Sequence, residues 1–275
     1  MSTDHSRALT SSVFPVAAHA QFVVVDDVNL VSRPAGLAWE VAGAPYVAGT
    51  TAYATVFAVD PGPDDTVVVS GAAGGVGPLA VQLARRRGAT VIGPASERNH
   101  DWLKDRGVLP VEYGPGVAER IRQASGGRVD AFIDTFGDGY VALAVELGVR
   151  PERINTIRDW QAPAEVGART YGEGAAACAV VLGELARLAA SGQLEVPIAR
   201  TYPLEQVRDA FRELEQQHTH GKIVLRPQLQ LPERASSRHP RTSMRAGSGW
   251  SGWRCLRAVL HNAQSVTVLP RRPRG

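Results

Sequence analysis

The chain has 275 residues, 44% of them hydrophobic, enough to bury one or two sizeable cores. Its only cysteines are Cys178 and Cys255, which excludes a disulfide framework and a thiolate zinc cluster. Nine arginines against one acid, Glu233, give residues 228–275 a net charge of +8, so residues 1–227 carry −5 of the overall +3. A mildly acidic body argues against nucleic acid as the main partner. The longest apolar run, Cys178 to Ala190, is interrupted by Glu184 and Arg187, so no membrane span is expected. MSTDHSRALTSS lacks the basic and apolar regions of a secretory signal, and a reducing cytoplasm is the expected compartment.

Taken in chain order, Met1 to Ala20 is polar and weakly patterned, and Phe22-Val23-Val24-Val25 reads as a strand. Trp39 to Phe57 reads as helix in pieces, with Pro45 and Gly49 as interruptions. The turn PGPDDT leads into a strand at Val67 to Val69, then a helix from about Pro78 to Arg87. A strand at Thr90 to Ile92, a helix near Asp101 to Arg106, a strand at Val111-Glu112 and a helix near Val117 to Ala124 follow. Further strands are expected at Ala131 to Ile133 and Ile154 to Ile157. Strands alternating with helices predict an α/β fold with a doubly wound parallel sheet. Val181, Leu185 and Leu188 mark the next helix, which Gly192 can end. Leu204, Val207, Phe211 and Leu214 define one apolar face of a last helix, before Gly221 and a strand at Lys222 to Leu225. Residues 228–275, rich in Arg, Ser, Gly and Pro, have no sustained period and read as a disordered tail.

Between the strand Val67–Val69 and the next helix lies Ser70-Gly71-Ala72-Ala73-Gly74-Gly75-Val76-Gly77. Small residues here let the backbone approach a pyrophosphate, and the helix start offers free N–H groups and a positive dipole end. Against the dinucleotide fingerprint G-x-G-x-x-G, the match runs through Ala72, Gly74 and Gly77, inside a βαβ unit. The glycine pattern of short-chain dehydrogenases also fits, but no tyrosine has the lysine four residues on that their chemistry needs. No Gly-Lys-Ser/Thr closes the turn as in a P-loop.

The end of the second strand bears on the choice of cofactor. NAD-binding folds place a carboxylate there for the ribose hydroxyls. Here Gly93-Pro94-Ala95-Ser96 is followed by Glu97 and Arg98, and a hydroxyl with a guanidinium suits a 2′-phosphate. NADPH is therefore the expected cofactor, with Ser96 and Arg98 as its markers.

Val47-Ala48-Gly49-Thr50-Thr51-Ala52-Tyr53, the GAAGGVG turn, GPASERNHDWL and HGKIVL together resemble the medium-chain dehydrogenase/reductase superfamily. Its zinc-free, zeta-crystallin-like quinone oxidoreductase branch is the most similar, over about residues 22–227. The resemblance implies a Rossmann domain inserted into a GroES-like β domain that is only partial here, its N-terminal part short. Residues 1–45 would be the remnant of that domain, 46–195 the Rossmann domain, 196–227 the return, and 228–275 the tail. It further implies cofactor contacts at Thr51 by the nicotinamide and at Ala73, Gly74, Gly75, Val76 and Gly77 beneath the pyrophosphate. Ser96 and Arg98 would hold the 2′-phosphate and Tyr113 would lie near the adenosine. Phe136 with Gly137, Asn155 to Ile157, and Lys222 complete the expected set.

No metal is expected, since the zinc branch's cysteine and histidine ligands are missing. His218 and His220 read as a solvated helix cap. No nucleophilic triad or G-x-S-x-G is present, so a hydrolase is disfavoured. The expected activity is hydride transfer from NADPH to a quinone or activated enone, with no catalytic acid assigned. The rival from another class is a non-catalytic NADPH-binding or sensor protein. The resemblance also suggests a homodimer.

Overall fold

The computed structural model describes residues 7–8, 27–216 and 218–227. The expected strand at Phe22 to Val25 and the Arg-rich stretch 228–275 lie outside the described residues. The chain divides into two units, Met1–Leu229 and Gln230–Gly275, and every described residue belongs to the first. No helix among the described residues is long and apolar enough to cross a membrane.

The strand β1 (Arg7–Ala8) pairs antiparallel with β2 (Val31–Ser32), and two helices follow, α1 (Trp39–Gly43) and α2 (Pro45–Val59). Strands and helices then alternate. They are β3 (Thr66–Val69), α3 (Gly77–Arg86), β4 (Thr90–Ala95), α4 (His100–Asp105) and β5 (Leu109–Glu112). They continue with α5 (Val117–Ser125), β6 (Ala131–Asp134), α6 (Tyr140–Glu146) and β7 (Ile154–Thr156). Beyond them lie α7 (Ala162–Val166), α8 (Glu173–Ala176), α9 (Ala179–Ala190), β8 (Ile198–Pro203), α10 (Val207–Glu215) and β9 (Lys222–Arg226).

The central sheet is five-stranded and parallel, ordered β5-β4-β3-β6-β7. Its strands read as apolar runs because both faces are covered. Val67 and Val69 join one core with Val91 and Ile133, under α2, α3 and α9. Val68 points the other way, into a second core with Ile92, Phe132 and Ile154. All of these side chains are wholly out of solvent, each contributing about 1.5–3 kcal/mol. The chain crosses from one side of the sheet to the other between β3 and β6, whose carboxyl ends therefore open a crevice, the usual ligand position in such folds.

Three sequence expectations change. Gly49 does not interrupt a helix: α2 runs through it, and a Cβ there would fall 2.8 Å from Leu185 Cδ1, so the glycine admits α9 against α2. Pro45 does divide the stretch: α1 ends at Gly43 and Pro45 starts α2, where its missing N–H costs nothing. The last helix is also shorter than its apolar pattern. Leu204 lies in a separate 3-10 turn, Phe211 and Leu214 are about half exposed, and Ala210 is the residue α10 buries. Finally, β8 was not expected. It pairs in parallel with β9 as a two-stranded sheet, mostly uncovered, so its residues IARTYP carry no burial pattern to read.

Leu185→Ala should cost about 2–5 kcal/mol in urea unfolding, because it empties a fully buried site. Gly49→Ala should be distinctly more favourable in the Leu185→Ala background than in the wild type, since the clashing methyl is gone.

Candidate functional site

The turn after β3 is held by close backbone contact. Gly71 takes φ +60°, and Gly74 N donates to Gly71 O at 2.9 Å. A Cβ at Gly77 would lie 2.0 Å from that same carbonyl oxygen and 2.8 Å from Ala72 Cα, so any side chain there would push the turn apart. The last glycine of the fingerprint is thus needed to seat the start of α3 on the turn. In its first turn Pro78 has no N–H and Leu79 and Ala80 both donate to Val76 O, at 3.1 Å each, and its positive dipole end lies at the glycine turn.

A buried hydrogen-bond network shapes the loop opposite. Asp134, with no solvent exposure, accepts from Ser70 Oγ at 2.6 Å, from the Phe136 and Gly137 N–H groups at 3.0 and 2.9 Å, and from Thr156 Oγ1 at 2.7 Å. Ser70 Oγ in turn accepts from Thr135 N at 3.0 Å, and Thr156 Oγ1 accepts from Arg158 and Asp159 N–H groups at 3.1 and 3.0 Å. One carboxyl therefore ties together the ends of β3, β6 and β7.

Between the glycine turn and these loops lies an open cleft of about 240 Å³. Ala73 and Gly74 line it, as do Ser96 and Arg98. Tyr113 and Phe136 line it as half-exposed aromatics. Ser96 does not cap the following turn with its side chain. Its hydroxyl accepts from Arg98 Nε at 3.3 Å and Asn99 Nδ2 at 3.0 Å, leaving its own O–H free to donate.

The remaining expected residues lie elsewhere. Gly75, Val76 and Gly77 form the base of the turn and do not line the cleft. Lys222 sits behind it, its Nζ 3.7 Å from where a Gly75 Cβ would be. Burial pushes the Lys222 amine below its ordinary pKa, and among the described residues no carboxylate is paired with it. Thr51 is buried within α2 and is not among the residues that line this part of the cleft. Asn155 is wholly buried in β7, and both ends of its amide are taken by the Tyr171 backbone, at 3.0 and 2.8 Å.

Sequence reasoning missed Asn99, Tyr140, His218 and Thr219, all of which line the cleft. Asn99 follows directly on the Ser96–Arg98 pair and could have been read with it. Tyr140 packs edge-on against Phe136 with ring centroids 6.0 Å apart. Burial, then the nearby Asp134 and Asp138, push its phenol up to about 12, so it stays a hydrogen-bond donor. The histidine pair also divides. His218 is exposed as expected, whereas His220 is half-buried against the glycine turn and is no solvated cap. Among the described residues no group of three or more His, Cys, Asp or Glu is placed to hold a metal ion.

The comparisons agree with this architecture. Residues 107–225 match the family described as "Zinc-binding dehydrogenase". The chain is 30% identical over 243 residues to the synaptic vesicle membrane protein VAT-1 homolog of Homo sapiens, over 74% of this chain and 61% of that protein. It is 28% identical over 223 residues to a protein of Sulfolobus acidocaldarius named NAD-dependent alcohol dehydrogenase, over 76% of this chain and 64% of that one. The solved quinone oxidoreductase from Coxiella burnetii superposes with a TM-score of 0.63 at 27% identity, over 71% of this chain and 63% of its own. The chain thus spans between 61% and 64% of the length of these relatives. Residues 107–225 carry the domain of that dehydrogenase family, and the fold is that of the solved quinone oxidoreductase.

Asp134→Ala should strand four donors, two of them backbone N–H groups, and lower stability by about 3–5 kcal/mol in thermal or urea unfolding. Asp134→Asn keeps one oxygen for the two N–H groups and should cost clearly less.

Proposed function

We propose that the chain is an NADPH-dependent oxidoreductase of the zinc-free quinone-oxidoreductase type, reducing a quinone or an activated enone. The observation that carries this reading is the cleft itself. It runs from a close-packed glycine turn to a hydroxyl and a guanidinium, with no carboxylate in its lining.

The residues present fit a phosphorylated dinucleotide. Ala73, Gly74, Gly75 and Val76 offer backbone at the start of α3 for a pyrophosphate, and the partly buried Lys222 amine adds a cation behind it. Ser96, Arg98 and Asn99 form a donor set for a 2′-phosphate. Glu97, the nearest acid, is exposed and outside the cleft lining. Tyr113 and Phe136, with Tyr140 behind, give flat apolar walls for a base. Thr219 Oγ1, buried without a partner among the described residues, is a further polar atom at the cleft for a ligand to satisfy.

When bound, the dinucleotide would supply the hydride, the protein binding, orienting and excluding water. Thr51 would border the nicotinamide. Asn155 would act by holding the Tyr171 segment rather than by touching the cofactor, since its amide is already engaged. The proton would come from solvent or a substrate hydroxyl. The relative named as NAD-dependent marks the alternative cofactor, and against it stands the absence of a carboxylate at the end of β4. We extend the same reading to a cytoplasmic location and a homodimer.

Arg98→Ala should raise the Kd for NADPH about tenfold and leave that for NADH within about twofold, in fluorescence titrations. Equal effects on both cofactors would remove Arg98 from the 2′-phosphate. The wild-type protein should oxidise NADPH when a small quinone is added. Tight NADPH binding with no oxidation would favour the non-catalytic binding protein instead.

A further inference from the structure

Three consecutive residues at the start of β9, His220 to Lys222, meet three consecutive residues of the glycine turn. His220 Nδ1 lies 3.0 Å from the Ala73 carbonyl oxygen, and Gly221 N donates to the Gly74 carbonyl at 3.3 Å. Lys222 Nζ faces Gly75. Gly221 can enter this register only as glycine: its φ is +83°, and a Cβ there would fall 2.3 Å from the Pro197 carbonyl oxygen.

A carbonyl only accepts, so His220 donates from Nδ1 and carries its lone pair on Nε2. Nε2 is buried and has no partner among the described residues. The ring stands edge-on to Trp102, with centroids 4.8 Å apart at 69°. Arg106 covers the Trp102 ring at 4.2 Å and pairs with Glu195, which also accepts from Trp102 Nε1 at 3.3 Å. This braced stack fixes the imidazole in place from behind.

In a trans peptide the C=O and the following N–H point in opposite directions. The Ala73–Gly74 plane is therefore pinned at both edges, by His220 on the carbonyl and by Gly71 O on the N–H. The Gly74–Gly75 plane is pinned through its carbonyl by Gly221, which leaves the Gly75 N–H pointing away from β9.

We propose that His220 is a positioning residue for dinucleotide affinity, setting the peptide planes of the glycine turn by donating to the Ala73 carbonyl without touching the ligand. The inference rests on the dinucleotide-binding reading above. Preorganised N–H groups bind an anion without the cost of ordering the loop at the moment of binding.

Three variants separate the hydrogen bond from the packing. His220→Asn keeps an N–H donor near the Nδ1 position, His220→Phe keeps the ring against Trp102 without a donor, and His220→Ala keeps neither. NADPH titration should give a Kd about tenfold weaker for the Phe and Ala variants, and within about threefold of wild type for Asn. Amide hydrogen exchange over residues 70–79 of the cofactor-free protein should quicken in the Phe and Ala variants only. If His220→Phe matches wild type in both measurements, packing suffices and the proposal is overturned. If exchange follows the donor but wild type binds no NADPH, the dinucleotide reading fails while the pinning of the turn stands. If the Ala variant does not fold, the contrast between Asn and Phe decides the matter alone.

Discussion

At the end of β6, the Asp134 carboxyl sits wholly out of solvent and accepts four hydrogen bonds. Burying such a group costs several kcal/mol unless it is fully satisfied, and each donor left unmet would cost about 1–3 kcal/mol. Exposed ion pairs such as Arg122–Glu146 contribute about 0–1 kcal/mol and could vanish with little effect. The Asp134 network is therefore the polar constraint on which the cleft depends. It joins Ser70, which opens the glycine turn, to the Phe136 loop and to Thr156 at the end of β7.

A second constraint comes from the other end of the chain. The glycine turn is short of side chains, and its internal bond from Gly74 N to Gly71 O holds only one edge of the Ala73–Gly74 plane. Residues 220–222 supply further restraint, through the His220 side chain at Ala73, 147 residues away in sequence, and the Gly221 N–H at Gly74. The cleft is thus completed by chain returning from outside the central sheet, with His218 and Thr219 adding to its wall. Seen this way, HGK and AGG are two halves of one structural unit.

Much of the sheet was readable because its chemistry is local. Runs such as Val67–Val69 and Ala131–Ile133 are apolar on both faces, and Gly71 to Gly77 announces a turn that only small residues allow. Ser96 and Arg98 were legible for the same reason, as neighbours at a strand end. What escaped the reading depends on contacts distant in sequence. Nothing near Gly49 reveals that Leu185 will pack against it. Nothing near Asn155 reveals that Tyr171 will engage both ends of its amide. The stretch Ile198 to Pro203 lies in a two-stranded sheet with little cover, so its residues need not alternate. His220 resembled a surface cap because its partners, Ala73 and Trp102, stand more than a hundred residues away.

The most direct test of the account is amide hydrogen exchange of the wild-type protein with and without NADPH. Binding in the cleft predicts protection concentrated in residues 70–79, 94–99 and 218–222, with the rest of the sheet unchanged. Absence of protection, or protection confined to other segments, would mean that the glycine turn does not bind a dinucleotide in this protein.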